Sequence, residues 1–179
     1  FKMVEEQKSE PANIVKIAVL NFKILGMQDL ESHMKRIETF AVESKAKGAK
    51  YLLLPELIVF DMLPINPPDQ KMIEYLTALS NLSSEYEGHL KKISMANNLN
   101  IIGASAVIKI KNHFINRAFY VASTGSVLYQ DKMQPTPWEA KYGFVGEKQV
   151  RYFETEDFSF VILTCHDAEF PTISSRLVG

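Results

Sequence analysis

Three chemically reactive side chains each follow an apolar run of the chain. Glu56 comes after YLLLP, Lys132 after SVLYQD, and Cys165, the only cysteine, after FVILT. In a sheet covered by helices, functional groups collect beyond the strand ends. A thiol there can attack a carbonyl or nitrile carbon, a carboxylate can take up the proton, and an ammonium can stabilise the resulting oxyanion. These are the residue types that amide hydrolysis requires.

Each of the three residues also has a structural interpretation. An isolated free cysteine is most often a small buried hydrophobe, and burial raises the pKa of a thiol. Glu56 and Lys132, taken singly, could be solvated surface charges. The combination favours chemistry, because Lys132 near Cys165 would lower the pKa of the thiol and Glu56 would accept its proton.

Other polar residues lie close to these three in the sequence. Glu139, within PTPWEAKYG, could cap a short helix or pair with Lys141. His166 directly follows the cysteine and could be a structural histidine. Asp167 and Glu169 are interpreted as solvated or salt-bridged loop acids.

The sequence disfavours other kinds of catalytic site. The stretch GASAV (103–107) lacks the second glycine of a serine-hydrolase nucleophile elbow. The four histidines are scattered, and with one cysteine they offer no metal-ligand spacing. No metal or organic cofactor is therefore expected.

Composition bounds the class of protein. The 179 residues suffice for one domain with a sizeable core, and 20 basic against 21 acidic residues favour neither nucleic acid nor an anionic membrane as partner. The apolar runs are too short to span a bilayer, and one cysteine cannot form an internal disulfide. Residues 1–13 are polar and are expected to be a tail or linker without a signal peptide, which predicts a cytoplasmic protein.

Strands and helices alternate in the first half of the chain. KIAVLNF (16–22) is nearly continuously apolar, which predicts a strand covered on both faces, and YLLLPEL (51–57) predicts a second buried strand. Apolar spacing predicts a helix from Asp29 with Gly48 at its C-terminal cap. The loop 61–69 is too proline-rich for regular structure.

The second half of the chain is predicted to be helical and then mainly strands. A helical stretch from about residue 70 to 98, interrupted near 81–84, precedes the strand NIIGASAVIKI. FINRAFYVAS and SVLYQDK should pair as a hairpin around Thr124-Gly125, and VRYFETED should pair with FSFVILTC before a terminal helix. The order predicts an α/β fold with helices stacked on a mixed sheet.

The order of the motifs resembles the nitrilase superfamily, the carbon–nitrogen hydrolases. KIAVLNF is similar to the opening strand of that family and GAKYLLLPEL to its glutamate segment. NRAFYVASTGSVLYQDKMQPTPWE resembles its hairpin and lysine segment, and FVILTCHDAEFP its nucleophile segment. The resemblance covers residues 14–179. It implies a four-layer α-β-β-α sandwich, of which this domain would be the N-terminal portion, with the C-terminal part missing.

The resemblance also assigns roles to residues of this chain. It implies Glu56 as general base, Lys132 as oxyanion stabiliser and Cys165 as nucleophile. Glu139 matches an additional active-site glutamate that holds the lysine and the substrate nitrogen. The backbone N–H of His166 would be a second oxyanion donor.

The activity implied by this resemblance is that of an amidase acting through a cysteine thioester. The substrate would be a small-molecule amide rather than a nitrile, and no cofactor would be needed. An acyltransferase that passes the same thioester to an amine, or a non-catalytic nitrilase-like assembly module, are the alternatives. The family implies a homo-oligomer, and TPWEAKYGF resembles a branch associated with acetyltransferase-type domains.

Overall fold

The computed structural model describes residues 14–175 and has a five-stranded mixed sheet at its centre. Each strand pairs with its sequence neighbour, in the order β1-β2-β3-β4-β5; the first three are parallel, and β3, β4 and β5 pair antiparallel. The strands are β1 (Ile17–Val19), β2 (Tyr51–Leu54), β3 (Asn100–Ile110), β4 (His113–Val121) and β5 (Val127–Asp131). The predicted mixed sheet and β4–β5 hairpin are confirmed. The predicted tail, residues 1–13, lies outside the described residues.

Three helices pack on one face of this sheet and form the main core with it. They are α1 (Leu30–Ala46), α2 (Met72–Asn81) and α3 (Ser83–Asn97). Helix α1 begins after Asp29, whose carboxylate accepts a hydrogen bond from the Ser32 N–H at 2.7 Å, and is followed by Gly48 at a φ of +81°. Both ends and the predicted break between α2 and α3 are confirmed.

Short helices connect the sheet to the strand ends. They are α4 (Pro137–Lys141), α5 (Pro171–Ser174) and 3-10 helices at Ile58–Met62, Asp69–Lys71 and Cys165–Glu169. The proline-rich loop 61–69 is irregular as predicted, except where these 3-10 helices include its two ends. No helix within residues 14–175 is long and apolar enough to cross a membrane.

A two-stranded hairpin packs on the opposite face of the sheet. It consists of β6 (Phe153–Glu154) and β7 (Ser159–Phe160), and it forms a second apolar cluster with sheet residues such as Tyr51 and Tyr120. Asp157 in its turn accepts hydrogen bonds from Lys50 at 2.7 Å and from the Tyr51 hydroxyl at 2.9 Å. The predicted strand pair is therefore present. Its second strand is shorter than FSFVILTC, because residues 161–164 form no strand.

Strand β1 differs from its prediction. KIAVLNF was expected to be covered on both faces, but Ile17 is 47% and Val19 72% exposed. Only the alternate side chains, Ala18, Leu20 and Phe22, pack against the main core. The reason is that β1 is the edge strand and the β6–β7 hairpin covers the second face only farther along the sheet.

A bulge in β3 brings the end of β2 unusually close. The β3–β4 register shifts between Gly103 and Ala106, and both Gly103 and Ala104 have positive φ, +90° and +49°. A Cβ at Gly103 would lie 2.2 Å from the Leu54 carbonyl oxygen. Only glycine permits this approach, which fixes the position of the chain just before Glu56.

Gly103→Ala should lower the free energy of unfolding by about 2–4 kcal/mol, because left-handed strain and overpacking each cost on the order of 1–3 kcal/mol. The new methyl group meets a backbone carbonyl, which cannot rotate away as a side chain can. Urea denaturation measures the change.

Two other glycines provide matched controls for this substitution. Gly143 has a φ of +83° but open space where a Cβ would be, so Gly143→Ala should show the strain alone. Gly88 lies in α3 with nothing nearby, so Gly88→Ala should be neutral or stabilising by up to about 1 kcal/mol. Equal stability of Gly103→Ala and Gly88→Ala would contradict the close approach.

Candidate active site

The structure brings Glu56, Lys132, Glu139 and Cys165 together. The Lys132 Nζ donates hydrogen bonds to Glu56 Oε1 and to Glu139 Oε2, each at 2.7 Å. Lys132 and Glu139 are both 2% exposed, so this ion cluster is buried. The Cys165 side chain is exposed and borders the same small cavity as Glu56. A thiol, a carboxylate and a fixed ammonium are thus adjacent.

Glu56 is positioned by a sharp turn directly after β2. The strand ends at Leu54, and Pro55 lacks the N–H that would continue the ladder. Leu57 then has a φ of +46°, and its N–H donates to the Ser105 hydroxyl at 2.7 Å. This bond to β3 holds the turn so that the Glu56 side chain reaches Lys132.

Lys132 directly follows β5 and continues its pairing with β4. Its backbone N–H donates to the Asn116 carbonyl at 2.9 Å. The side chain therefore starts from the sheet itself rather than from a mobile loop, which limits how far the ammonium can move.

Glu139 belongs to the first turn of α4 and has two tasks. Its Oε2 accepts a hydrogen bond from the Thr136 N–H at 2.7 Å, and its own N–H donates to the Thr136 hydroxyl at 3.2 Å, which is a capping box. The predicted capping role is confirmed. The alternative pairing with Lys141 is wrong, because Lys141 contacts Asp69 at 2.8 Å and Glu139 instead contacts Lys132.

Cys165 occupies a strained backbone position. It opens the 3-10 helix Cys165–Glu169 with a φ of +48°, a left-handed conformation that non-glycine residues rarely adopt. Because the side chain is exposed, the interpretation of Cys165 as a buried hydrophobe is wrong. The neighbouring His166 backbone N–H acts to lower the pKa of the thiol.

Asp167 has a structural role, and its interpretation as a solvated or salt-bridged loop acid is wrong. It is fully buried rather than solvated, and it accepts three backbone hydrogen bonds. Oδ2 binds the Thr164 N–H at 3.0 Å, while Oδ1 binds the N–H groups of Met133 at 3.0 Å and Gln134 at 2.7 Å. One side chain therefore joins the Cys165 turn to the segment that follows Lys132.

The other two residues near the cysteine lie closer to the surface. The Glu169 side chain is 70% exposed and lies 3.7 Å from His166 Nε2, which confirms its interpretation as a solvated loop acid. His166 is partly buried, and its Nδ1 lies 3.3 Å from the Pro135 carbonyl oxygen. Neither imidazole nitrogen contacts Glu56 or Lys132, so the ring is a structural neighbour of the site.

Sequence reasoning missed Asn116. Its Nδ2 donates to Glu56 Oε1 at 2.8 Å and to Glu139 Oε1 at 2.9 Å, and the residue is only 1% exposed. The signal in the sequence was one amide beside Arg117 within the otherwise apolar segment FINRAFYV that precedes Lys132. A lone asparagine in a strand does not reveal its partners, so the signal was weak.

The electrostatics of the cluster follow from burial and pairing. Burial alone would lower the pKa of Lys132, but hydrogen bonds to Glu139 and Glu56 raise it above its ordinary value. Burial would raise the pKa of Glu139, but hydrogen bonds from Lys132, the Thr136 backbone and Asn116 hold it below its usual range. Both groups are therefore charged at neutral pH.

The pKa of the Cys165 thiol is shifted in the opposite direction from the prediction. Burial and the charge of Glu56 raise the pKa of Cys165, and the opposing effect of Lys132 is smaller. Lys132 acts in the predicted direction, but burial and the Glu56 charge outweigh it, so the expected net lowering of this pKa is wrong. At rest the site holds a neutral thiol beside a carboxylate.

A small cavity of about 180 Å³ borders Glu56 and Cys165. Its wall combines the side chains of Leu54, Ala118 and Ile162 with the Ser105 hydroxyl. The site is therefore lined mainly by apolar groups around a few polar ones, which is the usual composition of a small-molecule pocket.

Comparison with known proteins places this arrangement in a family context. Residues 16–178 match the family described as carbon-nitrogen hydrolase. A probable hydrolase of Bacillus subtilis (strain 168), YhcX, is 22% identical over 161 residues, which are 89% of this chain and 31% of that protein. The chain thus spans about a third of the length of this curated relative.

Solved structures with the same fold include an amidase from Nesterenkonia sp. It superposes with a TM-score of 0.76 at 20% identity, over 93% of this chain and 61% of that one. A mutant of the Nesterenkonia sp. AN1 amidase, with acrylamide joined by Michael addition to its active-site cysteine, gives 0.74 at 19% identity, over 89% and 61%. These likenesses confirm the predicted nitrilase-like α/β fold.

Asp167→Asn should lower the free energy of unfolding by about 1–3 kcal/mol, since an amide cannot accept all three N–H groups and leaves a buried donor unpaired. Glu169→Gln is the matched control on the same turn, and its exposed side chain should matter by less than about 0.5 kcal/mol. Urea denaturation of both variants measures the difference. Equal losses would show that the Asp167 bonds do not hold the turn.

The loss caused by Asp167→Asn should also depend on pH. Burial raises the pKa of Asp167, so the folded state binds this proton more tightly than the unfolded chain does. The stabilisation from that proton is complete below the unfolded pKa of about 3.9 and is lost as the pH rises through the folded pKa. The cost of Asp167→Asn should therefore be larger near pH 4 than near pH 7, and the opposite trend would contradict the raised pKa.

Iodoacetamide labelling of Cys165 should show an alkaline pH midpoint, because the pKa of this thiol is raised. Glu56→Gln removes one of the charges that raise it, so labelling of that variant at neutral pH should be faster than labelling of the wild type. Mass spectrometry of the single cysteine follows the rate. Slower labelling of Glu56→Gln would contradict this effect of the Glu56 charge and would mean that the carboxylate instead promotes loss of the thiol proton.

Proposed function

This chain belongs to the carbon–nitrogen hydrolase family, and we propose that its site is that of an amidase working through a thioester on Cys165. One observation carries the proposal: the buried Lys132 ammonium contacts two carboxylates, and one of these, Glu56, lines the same small cavity as Cys165. This arrangement provides proton transfer and oxyanion stabilisation at a single point.

The first step is attack of the sulfur on the amide carbon. The resting thiol is neutral, so its proton passes to Glu56 as the sulfur–carbon bond forms. The carbonyl electron pair moves to oxygen, where Lys132 and the His166 N–H stabilise the negative charge. Glu139 and Asn116 hold the ammonium and the base in place during this step.

The second step breaks the carbon–nitrogen bond. The tetrahedral intermediate collapses, the nitrogen leaves with the proton that Glu56 received, and ammonia or an amine departs. An acyl thioester remains on Cys165. Glu56 then takes a proton from water, the resulting hydroxide attacks the thioester, and the carboxylic acid and the thiol are released.

A small amide is the proposed substrate. The cavity beside Cys165 is small and mostly apolar. Mutants of the Nesterenkonia sp. AN1 amidase have been solved with acrylamide and with butyramide, amides of three and four carbons. Transfer of the acyl group to an amine is the alternative outcome of the same thioester, and the homo-oligomer stays a prediction.

Glu56→Gln should reduce kcat by about 10²–10⁴-fold with the fold intact, because the shape is kept and the proton acceptor is lost. Cys165→Ala should abolish turnover at little cost in stability, since the thiol is exposed. Glu154→Gln, an exposed glutamate in β6, is the control and should leave turnover unchanged. Ammonia release from acrylamide and butyramide by the full-length protein measures activity.

Acid quenching during turnover should show the acyl mass on the peptide that contains Cys165. Adding hydroxylamine decides the acceptor: free acid dominating over hydroxamate supports hydrolysis, and preferential hydroxamate supports acyl transfer to amines. Turnover that survives Cys165→Ala would overturn the proposed function.

A further inference from the structure

We propose that Asn116 is a positioning residue that gives the two oxygens of Glu56 different tasks, fixing Oε1 on Lys132 and leaving Oε2 for proton transfer. This inference rests on the proposed function of the site. In the proposed mechanism Asn116 does not touch the sulfur; it acts through Glu56 and Glu139.

The donors around Glu56 are arranged unequally. Lys132 Nζ at 2.7 Å and Asn116 Nδ2 at 2.8 Å both bind Oε1. A carboxylate oxygen with two donors is a poorer proton acceptor than its partner oxygen, because hydrogen bonds stabilise the charge it carries. Oε2 is therefore the better base, and the two bonds to Oε1 prevent the carboxylate from rotating to exchange the oxygens.

The orientation of the Asn116 amide follows from its partners. Its second contact is Glu139 Oε1 at 2.9 Å, so both neighbours of Nδ2 are carboxylate oxygens. A carboxylate accepts and does not donate, so the nitrogen and not the oxygen of the amide must face them. One NH₂ group thus bridges the two acids that flank the lysine.

Asn116 also binds the lysine segment through its main chain. Its carbonyl oxygen accepts the Lys132 N–H at 2.9 Å. Asn116 therefore fixes the position of the Lys132 backbone relative to β4. It also fixes the spacing of the two carboxylates that the Lys132 ammonium contacts. No other residue among 14–175 has a hydrogen bond to all three of Glu56, Lys132 and Glu139 in this way.

Packing alone does not call for an amide at this position. Asn116 is 1% exposed, and its Oδ1 has no hydrogen-bond donor among the described residues. Ala118 and Tyr120, two and four residues farther along β4, are buried in the second apolar cluster. An apolar side chain at 116 would avoid a buried acceptor without a donor, so the two N–H groups of Asn116 are what the site uses.

The test compares two variants with the wild type. Asn116→Leu replaces the amide donors by an apolar side chain, and Asn116→Asp replaces them in a near-isosteric way. In both, kcat for a small amide should fall by about 10²-fold with a smaller change in KM, the scale seen when one preorganised donor is removed. The acidic limb of kcat/KM for Asn116→Leu should move to higher pH by about one unit, because the carboxylates lose donors that favour their charged forms. A merely structural role would not move this limb.

Asn100→Leu is the matched control. Asn100 begins β3, and its side chain bonds only to the Lys50 carbonyl and the Ser123 N–H. This substitution should cost stability without moving the acidic limb. A folded Asn116→Leu protein with the kcat and pH profile of the wild type would overturn the proposal, as would the loss of folding in both Asn116 variants.

A second readout separates this inference from the proposed function. If the wild type turns over no amide, the proposed function fails, but iodoacetamide labelling of Cys165 still reports on Glu56. Asn116→Leu should then label with a pH midpoint above that of the wild type, because the Glu56 charge beside the thiol is less neutralised. An unchanged midpoint in that variant overturns the inference.

Discussion

The buried Lys132 ammonium is the interaction on which the rest of the site depends. A charge that is 2% exposed is tolerated only if opposite charges and hydrogen bonds replace its water. Glu56 and Glu139 supply these from two different parts of the chain. The ends of β2 and β5 and the first turn of α4 must therefore meet at one point. Removing Lys132 would leave two carboxylates at the site without their cation, so the site and the fold are stabilised together.

Backbone strain lies where this convergence is tightest. Gly103 and Ala104 in the β3 bulge, Leu57 after the base and Cys165 all have positive φ. Left-handed conformations at non-glycine residues persist only when the surrounding contacts over-determine them. Here those contacts are hydrogen bonds such as Leu57 N–H to the Ser105 hydroxyl at 2.7 Å. The strained turns therefore orient Glu56 and Cys165 toward each other, and contacts with the sheet offset the free energy of the strain.

The sequence predicted the meeting of Glu56, Lys132 and Cys165 because each follows an apolar run, and strand ends collect at the edge of a sheet. It could not predict Asp167 or Asn116, since most of their partners are distant in sequence. Asp167 binds backbone N–H groups more than thirty residues away, and Asn116 joins acids that lie 60 and 23 residues away. A buried polar group of this kind has no periodic signature. The exposure of β1 was equally hidden, because an apolar run does not say which face is covered.

The raised pKa of Cys165 fits a site in which charge moves without accumulating. A preformed thiolate beside ionised Glu56 and Glu139 would place three negative groups around one ammonium. In the proposed mechanism, the proton of a neutral thiol moves to Glu56 while a negative charge appears on the substrate oxygen, so the total charge around Lys132 stays constant. Lys132 then exchanges one anionic partner for another, and little reorganisation is needed, which is the condition for strong electrostatic stabilisation of a transition state. On this view the site gains reactivity from the geometry of proton transfer rather than from an acidic thiol, and the donors that fix Glu56 matter as much as the nucleophile.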